Sequence, residues 1–434
     1  MTKPPLDTWL VRRMGWRHDG MPSPGDVRRW QLDRLRDGVE HARTNSPFYA
    51  STLDGVDISS VDSPEAFSRL PMITPDDLRA GPERLLCVSQ DEIARIVTLQ
   101  SSGTTGQPKR IFNTQEDLEA TIDFFDWGMR NLVEPGETAL VLMPGERPGG
   151  VGRLLDEALS RFGARAVAHG IMENSADAVS HLLSVGASCI VGSAAHVNLI
   201  AREWQLRGLP KGMIRSILFC WDAVPDAVVR NAERIFGCRP FRHWGMIETG
   251  LGGAVECAPG SGMHLREADV YLEIVDPETG RLLPDGDVGE IVVSTPLRRG
   301  MPLIRYRTGD VGRILPGACS CGSPLRRLDA SVCRESDGVR TEGGALALSA
   351  LNERLYSIPG LGDFAVWLSG RTLRVRVSGD EVVGQRVRET LAAEPALGAN
   401  AGAGLRLDIE MNENTVPAVP GLGKRRIFER ESSA

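Results

Sequence analysis

Residues 98–109 read Thr-Leu-Gln followed by Ser101, Ser102, Gly103, Thr104, Thr105, Gly106, Gln107, Pro108 and Lys109. Glycines let backbone N–H groups turn inward into an anion nest, the hydroxyls add neutral donors, and Lys109 supplies a mobile positive charge. Those are the groups a polyphosphate requires. The spacing departs from G-x-x-x-x-G-K-[ST], since position 108 is Pro, so the usual nucleotide-hydrolase reading fails. Taken by composition alone, a Ser/Thr/Gly cluster is equally well an ordinary turn.

Other residues carry chemistry of their own. Glu248, in His243-Trp-Gly-Met-Ile-Glu248-Thr, is a carboxylate suited to a hard cation that keeps several waters. Thr308-Gly-Asp310 is by itself more often a turn than a site, and Lys424, beside Arg425 and Arg426, is by itself a solvated basic segment. Cys257, His264, Cys319 and Cys321 offer three thiolates and one imidazole, the structural zinc set; four protein ligands leave no position open for water. The Cys-x-Cys spacing is tighter than a usual zinc knuckle. Unrelated loop cysteines are the alternative, with Cys333 a rival ligand. Cys87, Cys189, Cys220 and Cys238 lie singly in or beside apolar stretches and are assigned to packing.

These residues need elements to hold them. A strand over Ala94–Gln100 runs into the small-residue loop, and Thr114 with Asp117 forms a capping box ahead of a helix carrying Leu118, Ile122, Phe125, Met129 and Leu132. Strands at Thr138–Met143, Ala164–Ala168, Ala187–Val191 and Ile214–Cys220 alternate with amphipathic stretches such as Val151–Phe162 and Ser193–Leu206, which implies βα units and a largely parallel sheet. After Met263, strands at Asp269–Val275, Glu290–Ser294 and Pro302–Arg307 join through turn signals, which suggests a β-rich part. Beyond Asp329 come a helix (Leu346–Tyr356), a hairpin (Phe364–Val377), a helix (Val382–Ala393) and a strand (Leu405–Glu410). The expected class is α/β: a large N-terminal domain over 1–328 with mainly parallel sheets and a β-rich part near 263–328, and a small α+β C-terminal domain over 329–434.

Composition narrows the function classes. The chain has 434 residues, 25% of them charged and 41% hydrophobic, with no apolar run long enough to cross a bilayer. Residues Met1 to Met21 lack the continuous apolar core of a signal peptide, so the chain reads as cytosolic. Its formal charge of −7 comes from interspersed acids and bases, which argues against nucleic acid as a partner.

The segment Ser101–Lys109, with the motifs that follow it in order, resembles the adenylate-forming superfamily of acyl-CoA ligases, peptide-synthetase adenylation domains and luciferases, and most of all its phenylacetate-CoA ligase and coenzyme F390 synthetase-like branch. The resemblance implies ATP and Mg²⁺ as cofactors, with Ser101 to Gly106 and Lys109 on the phosphates and Trp244 and Gly245 beside the adenine. Glu248 would ligate the magnesium and Asp310 the ribose hydroxyls, with Arg327 on the ribose or phosphate. Trp stands where Tyr or Phe is commoner, and Ile247 replaces a hydroxyl residue. Asp222, Ala223 and Val224 occupy the place of the adenine loop, Asp329 the hinge of a mobile C-terminal lid, and Lys424 the position that contacts the acid and α-phosphate. Thr104, Lys109, Glu248 and Lys424 form the implied catalytic set. Phe124, Phe125, Trp127, Gly149 and Gly150 align with substrate-side segments and suit an aryl or small apolar acid. The branch looks similar at the Cys/His set too. The implied reaction is activation of a carboxylic acid as an acyl-adenylate, then thioester formation with coenzyme A. Transfer to a carrier protein, AMP transfer to a deazaflavin and a catalytically silent binding protein are the alternatives; a homodimer is an open option.

Overall fold

The structure, a computed structural model, describes residues 4–99, 108–145, 149–334, 337–341, 344–394, 397, 405–412, 415–421 and 424–429. Residues 101–107, most of the expected phosphate loop, lie outside the described residues. The chain divides into two compact units: Met1–Asn131, Glu157–Phe162 and Arg242–Val332 form one, and Leu132–Asp156, Gly163–Phe241 and Cys333–Ala434 the other.

The first unit begins with helices whose starts are written in the sequence. Ser23, Ser46, Ser63 and Thr74 each cap a helix that has Pro at its first position, where the missing N–H costs nothing. An antiparallel hairpin follows, Ile93–Leu99 against Lys109–Thr114, with Leu99 opposite Lys109. The second strand ends in the expected capping box: Thr114 N–H donates to Asp117 Oδ2 at 2.9 Å and Asp117 N–H to Thr114 Oγ1 at 3.2 Å. This launches the helix Gln115–Met129.

The β-rich part contains Tyr271–Val275, Gly289–Ser294 and Tyr306–Gly312, paired antiparallel in that order. One expectation needs correcting here. The strand predicted over Pro302–Arg307 begins only at Tyr306 and continues to Gly312, so Thr308-Gly-Asp310 lies within a strand. Pro302 has no N–H to donate, and Arg305 takes φ +50, a left-handed conformation that interrupts pairing. Its buried guanidinium bonds Glu273 at 3.1 Å and the Leu70 carbonyl at 2.7 Å. Gly309, at φ +73, sits where the register jumps between Glu290 and Val292, a bulge that glycine accommodates without strain. Apolar side chains from the N-terminal helices, the hairpin and these strands share one core, including Leu35, Phe67, Ile111, Ile291 and Tyr306.

In the second unit the strands Arg165–Ala168, Thr138–Val141, Cys189–Gly192 and Ser216–Phe219 lie parallel in that spatial order, as the alternating pattern predicts. Cys189, Cys220 and Cys238 are buried there, and Cys87 is buried in the first unit, in keeping with packing roles. The last hundred residues supply a four-stranded sheet in the order Arg406–Asn412, Thr372–Ser378, Asp363–Ser369, Ile427–Glu429. Its helices are Leu348–Tyr356 and Glu381–Ala392. The former starts two residues later than predicted because Leu346 pairs with Val339 in a short hairpin. Among the described residues, no helix is long and apolar enough to cross a membrane.

Candidate active site

The hairpin places Lys109 at the first position of its second strand. The Lys109 ammonium pairs with Glu248 Oε1 and donates to the Tyr306 hydroxyl at 3.2 Å. That hydroxyl donates to the same Glu248 oxygen at 3.0 Å. Glu248 sits in a single 3₁₀ turn, Ile247–Thr249, and is 2% exposed. Burial alone would raise its pKa, but the Lys109 charge and the hydrogen bonds from Lys109 and Tyr306 outweigh it and hold the carboxylate below its ordinary range. Glu248 is therefore an anion at neutral pH.

Trp244 closes the strand Arg239–Trp244, and its indole N–H donates to Asp310 Oδ2 at 3.0 Å. Both side chains are buried. Thr308 explains its place in the motif: its hydroxyl donates to the Ile291 carbonyl at 2.7 Å and accepts the Asp310 N–H at 3.0 Å, which fixes the backbone that presents Asp310. Gly245 is required by a close approach, since a Cβ there would lie 2.9 Å from the Gly252 Cα. Within one unit, residues 109, 244, 248, 306 and 310 are thus linked into two short hydrogen-bonded sets carried by neighbouring turns and strands.

Tyr306 was not singled out in the sequence. In the structure Tyr306, Thr308 and Asp310 are buried at alternating positions, which puts them on one face of the strand, but Tyr-Arg-Thr-Gly-Asp has no apolar alternation that would show it. His243, beside Trp244, is a second such residue: burial pushes its pKa down to about 4, and its Nδ1 has no hydrogen-bond partner.

The aromatic residues expected at the acid are packing residues in part. Phe124 meets Trp9 edge-on, with ring centroids 5.5 Å apart, and lies under the Arg266 guanidinium at 4.7 Å. Phe125 is buried, and Trp127 carries Arg130 over its ring at 4.5 Å. Gly149 and Gly150 belong to the other unit, just before the helix Val151–Ser160. Arg327 bonds the Ser261 carbonyl at 2.7 Å, and Asp329 accepts from Arg313 Nε at 2.7 Å.

In the second unit, Asp222 accepts the Ala223 N–H at 2.8 Å and the Arg425 N–H at 3.0 Å; Val224 is half-buried and Lys424 is exposed.

The four-residue Cys/His set converges as well. The ligand atoms of Cys257, His264, Cys319 and Cys321 all lie within 4.8 Å of one another. The Sγ atoms of Cys257 and Cys319 are 3.8 Å apart, and Cys321 Sγ is 3.4 Å from His264 Nε2. His264 Nδ1 is 3.3 Å from the Leu325 carbonyl, so that nitrogen carries the proton and Nε2 turns its lone pair to the sulfurs. Cys333 belongs to the other unit, at the start of its last segment.

Residues 59–300 match the family model described as AMP-binding enzyme. The chain belongs to that family. The AMP-binding enzyme is 27% identical over 351 residues to a phenylacetate-coenzyme A ligase of Pseudomonas putida, covering 78% of this chain and 77% of the relative. It is 28% identical over 344 residues to the ligase of the same name from Escherichia coli, covering 77% of each. Its fold is that of a 2-hydroxyisobutyryl-CoA ligase crystallised in the postadenylation state, with a TM-score of 0.76 at 20% identity over 94% of this chain and 90% of that one.

Proposed function

We propose that this AMP-binding enzyme activates a carboxylic acid with ATP as an acyl-adenylate and passes the acyl group to coenzyme A. The observation that carries the reading is the Lys109, Glu248 and Tyr306 set, which brings the end of the phosphate-loop motif onto the carboxylate of the second motif. Relatives named as phenylacetate-coenzyme A ligases support the acceptor and an aryl acid.

The acid's carboxylate oxygen attacks the α-phosphorus of ATP, the bond to the bridging oxygen breaks, and pyrophosphate leaves. Asp310, oriented by Trp244, accepts the ribose hydroxyls, while Lys109 and the loop 101–106 hold the phosphates. Glu248, kept ionised by its neighbours, fits Mg²⁺, which when bound neutralises phosphate charge. Lys424 meets the oxygens on which charge grows. No protein nucleophile is needed; catalysis is orientation and charge compensation. In the second step the thiol of coenzyme A attacks the acyl carbonyl and AMP leaves.

The Cys/His set fits zinc. Tetrahedral Zn–S bonds of about 2.3 Å place two sulfurs about 3.8 Å apart, the separation between Cys257 and Cys319. Zinc there would tie the loop after Ala254–Glu256 to residues 319–321, a structural role.

The deciding experiment is acid-dependent ATP–pyrophosphate exchange over aryl and short-chain acids, followed by thioester detection with coenzyme A or a carrier protein. Exchange with at least one acid and thioester with coenzyme A is the expected result. Thioester formed only on the carrier would replace the acceptor, and no exchange across the panel would end the reading.

A further inference from the structure

Lys424 is exposed and, with Arg425 and Arg426, belongs to no regular element before Ile427, yet the Arg425 side chain after it is largely buried and held by several partners. The Arg425 guanidinium pairs with Asp363 through Nη1 and with the Phe364 carbonyl through Nη2. It lies 4.8 Å from the Phe364 ring centroid and 5.5 Å from that of Tyr356. Asp363, 1% exposed, also accepts the Tyr356 hydroxyl and the Ala418 N–H, each at 2.8 Å. One carboxylate thereby ties the strand Asp363–Ser369, the helix Leu348–Tyr356 and the stretch 415–421 to Arg425. A guanidinium with one arm on a buried acid and the other on a backbone carbonyl holds direction as well as distance.

The backbone of the same residue points elsewhere. Arg425 N–H donates to Asp222 Oδ2 at 3.0 Å, and Asp222 Oδ1 is taken by Ala223 N–H at 2.8 Å. Both oxygens of the loop's acid therefore serve backbone donors. The loop is itself held in a costly shape, since Trp221 has φ +79. The N–H that reaches Asp222 belongs to the peptide plane joining Lys424 to Arg425, and that plane is rigid. Fixing it at one side by Asp222 and at the other by the Arg425 side chain fixes the place of the Lys424 Cα, the point from which the lysine side chain leaves the backbone.

We infer that Arg425 is the positioning residue for Lys424 and that Asp222 is the docking point of the lysine segment, so that the Trp221–Pro225 loop and Lys424 are set as one piece. The inference rests on the role proposed for Lys424. It assigns Asp222 to the lysine segment, where the motif alone suggests a contact to the nucleotide. Adenylation then depends on Arg425, whereas thioester formation from ready-made acyl-adenylate does not.

The test measures both half-reactions in the full chain: ATP–pyrophosphate exchange, and thioester formation from supplied acyl-adenylate. Arg425→Met is expected to lower the exchange kcat about 10- to 100-fold, as a misplacement of roughly 1 Å does, with the KM for ATP and thioester formation near wild type. Retained thioester formation also reports that the variant is folded. Arg425→Lys keeps a cation for Asp363 and loses the second arm, so it should recover part of the exchange rate. If Arg425→Met does not fold, Arg425→Lys must itself show the unequal loss. Exchange unchanged in the Arg425 variants, or both half-reactions lowered equally, overturns the inference. Lys424→Ala separates the two ideas: an unequal loss in Lys424→Ala without one in the Arg425 variants sinks the inference alone. No unequal loss in Lys424→Ala sinks the Lys424 role and the inference together.

Discussion

Lys109 and Lys424 carry the same charge and are assigned to the same nucleotide, but the protein holds them in different ways. Lys109 is on a strand, 17% exposed at its side chain, with its ammonium on a buried glutamate. Its position is set by its own partner. Lys424 is exposed and is directed by the bonds of the next residue, whose guanidinium and N–H do the holding. The contrast separates two ways of presenting a cation. An ion-paired lysine is compensated before substrate arrives and must exchange partners to meet phosphate. A lysine held through its neighbour takes its aim from that neighbour and loses it when the neighbour changes.

The most severe way to break the comparison is at Glu248. Glu248→Gln leaves the Lys109 ammonium with Tyr306 and no carboxylate, which should cost about 3–5 kcal/mol of stability and lower exchange by about 100-fold or more. Urea unfolding and the exchange assay read the two effects. The double variant Lys109→Met/Glu248→Gln sharpens the point: removing both charges should restore most of the stability and none of the activity. Recovery of activity in that variant would exclude Glu248 from the chemistry.

Lys424→Ala should act on rate alone. Exchange should fall about 100-fold, while the urea midpoint stays within error, because an exposed side chain contributes little to stability. A stability loss comparable to that of Glu248→Gln would mean that Lys424 is anchored by its own side chain as Lys109 is, and the contrast would vanish.

The two lysines also differ in how much of their setting could be read from the sequence. The hairpin strand, the capping box at Thr114 and the parallel strands follow from periodicity and capping, which are local signals. Lys109, Glu248 and Asp310 were found from motifs, which name residues without naming contacts. Tyr306 has no local signal of its role, because the strand that carries it begins only after Arg305, whose positive φ no pattern of apolar residues encodes. In the sequence Arg425 is only a basic neighbour of Lys424; its partner Asp363 lies 62 residues away, a separation that no local rule spans. Cys257, His264, Cys319 and Cys321 could be named from residue type alone, since few residue types suit a metal, and the fold brings the four together.

That set yields a smaller effect on the nucleotide chemistry and a direct readout. Protein prepared without chelators should contain about one zinc per chain by elemental analysis. Cys319→Ser should lose it and lower the thermal midpoint by roughly 5 °C, with the KM for ATP unchanged. Metal-free wild-type protein of full thermal stability would remove zinc from the account.

The smallest predicted effect is a titration beside Lys424. Burial first, and then the negative charge of Asp222, push Asp337 up to about 6 from its ordinary 3.8, against the opposing pull of the Arg334 N–H and of the Arg334 and Lys424 charges. Between those two values the folded chain binds a proton that the unfolded chain has released. The contribution of Asp337 to stability is therefore present below about pH 4 and is lost as pH rises through about 6. Asp337→Asn removes the titration, so the difference in stability between variant and wild type should grow in the variant's favour from pH 4 to pH 7. The gain is on the order of 1 kcal/mol after allowing for solvent screening of a part-exposed group. Urea midpoints at half-unit pH steps would show it, and parallel profiles for the two proteins would place the acid in solvent, away from the charge that surrounds Lys424.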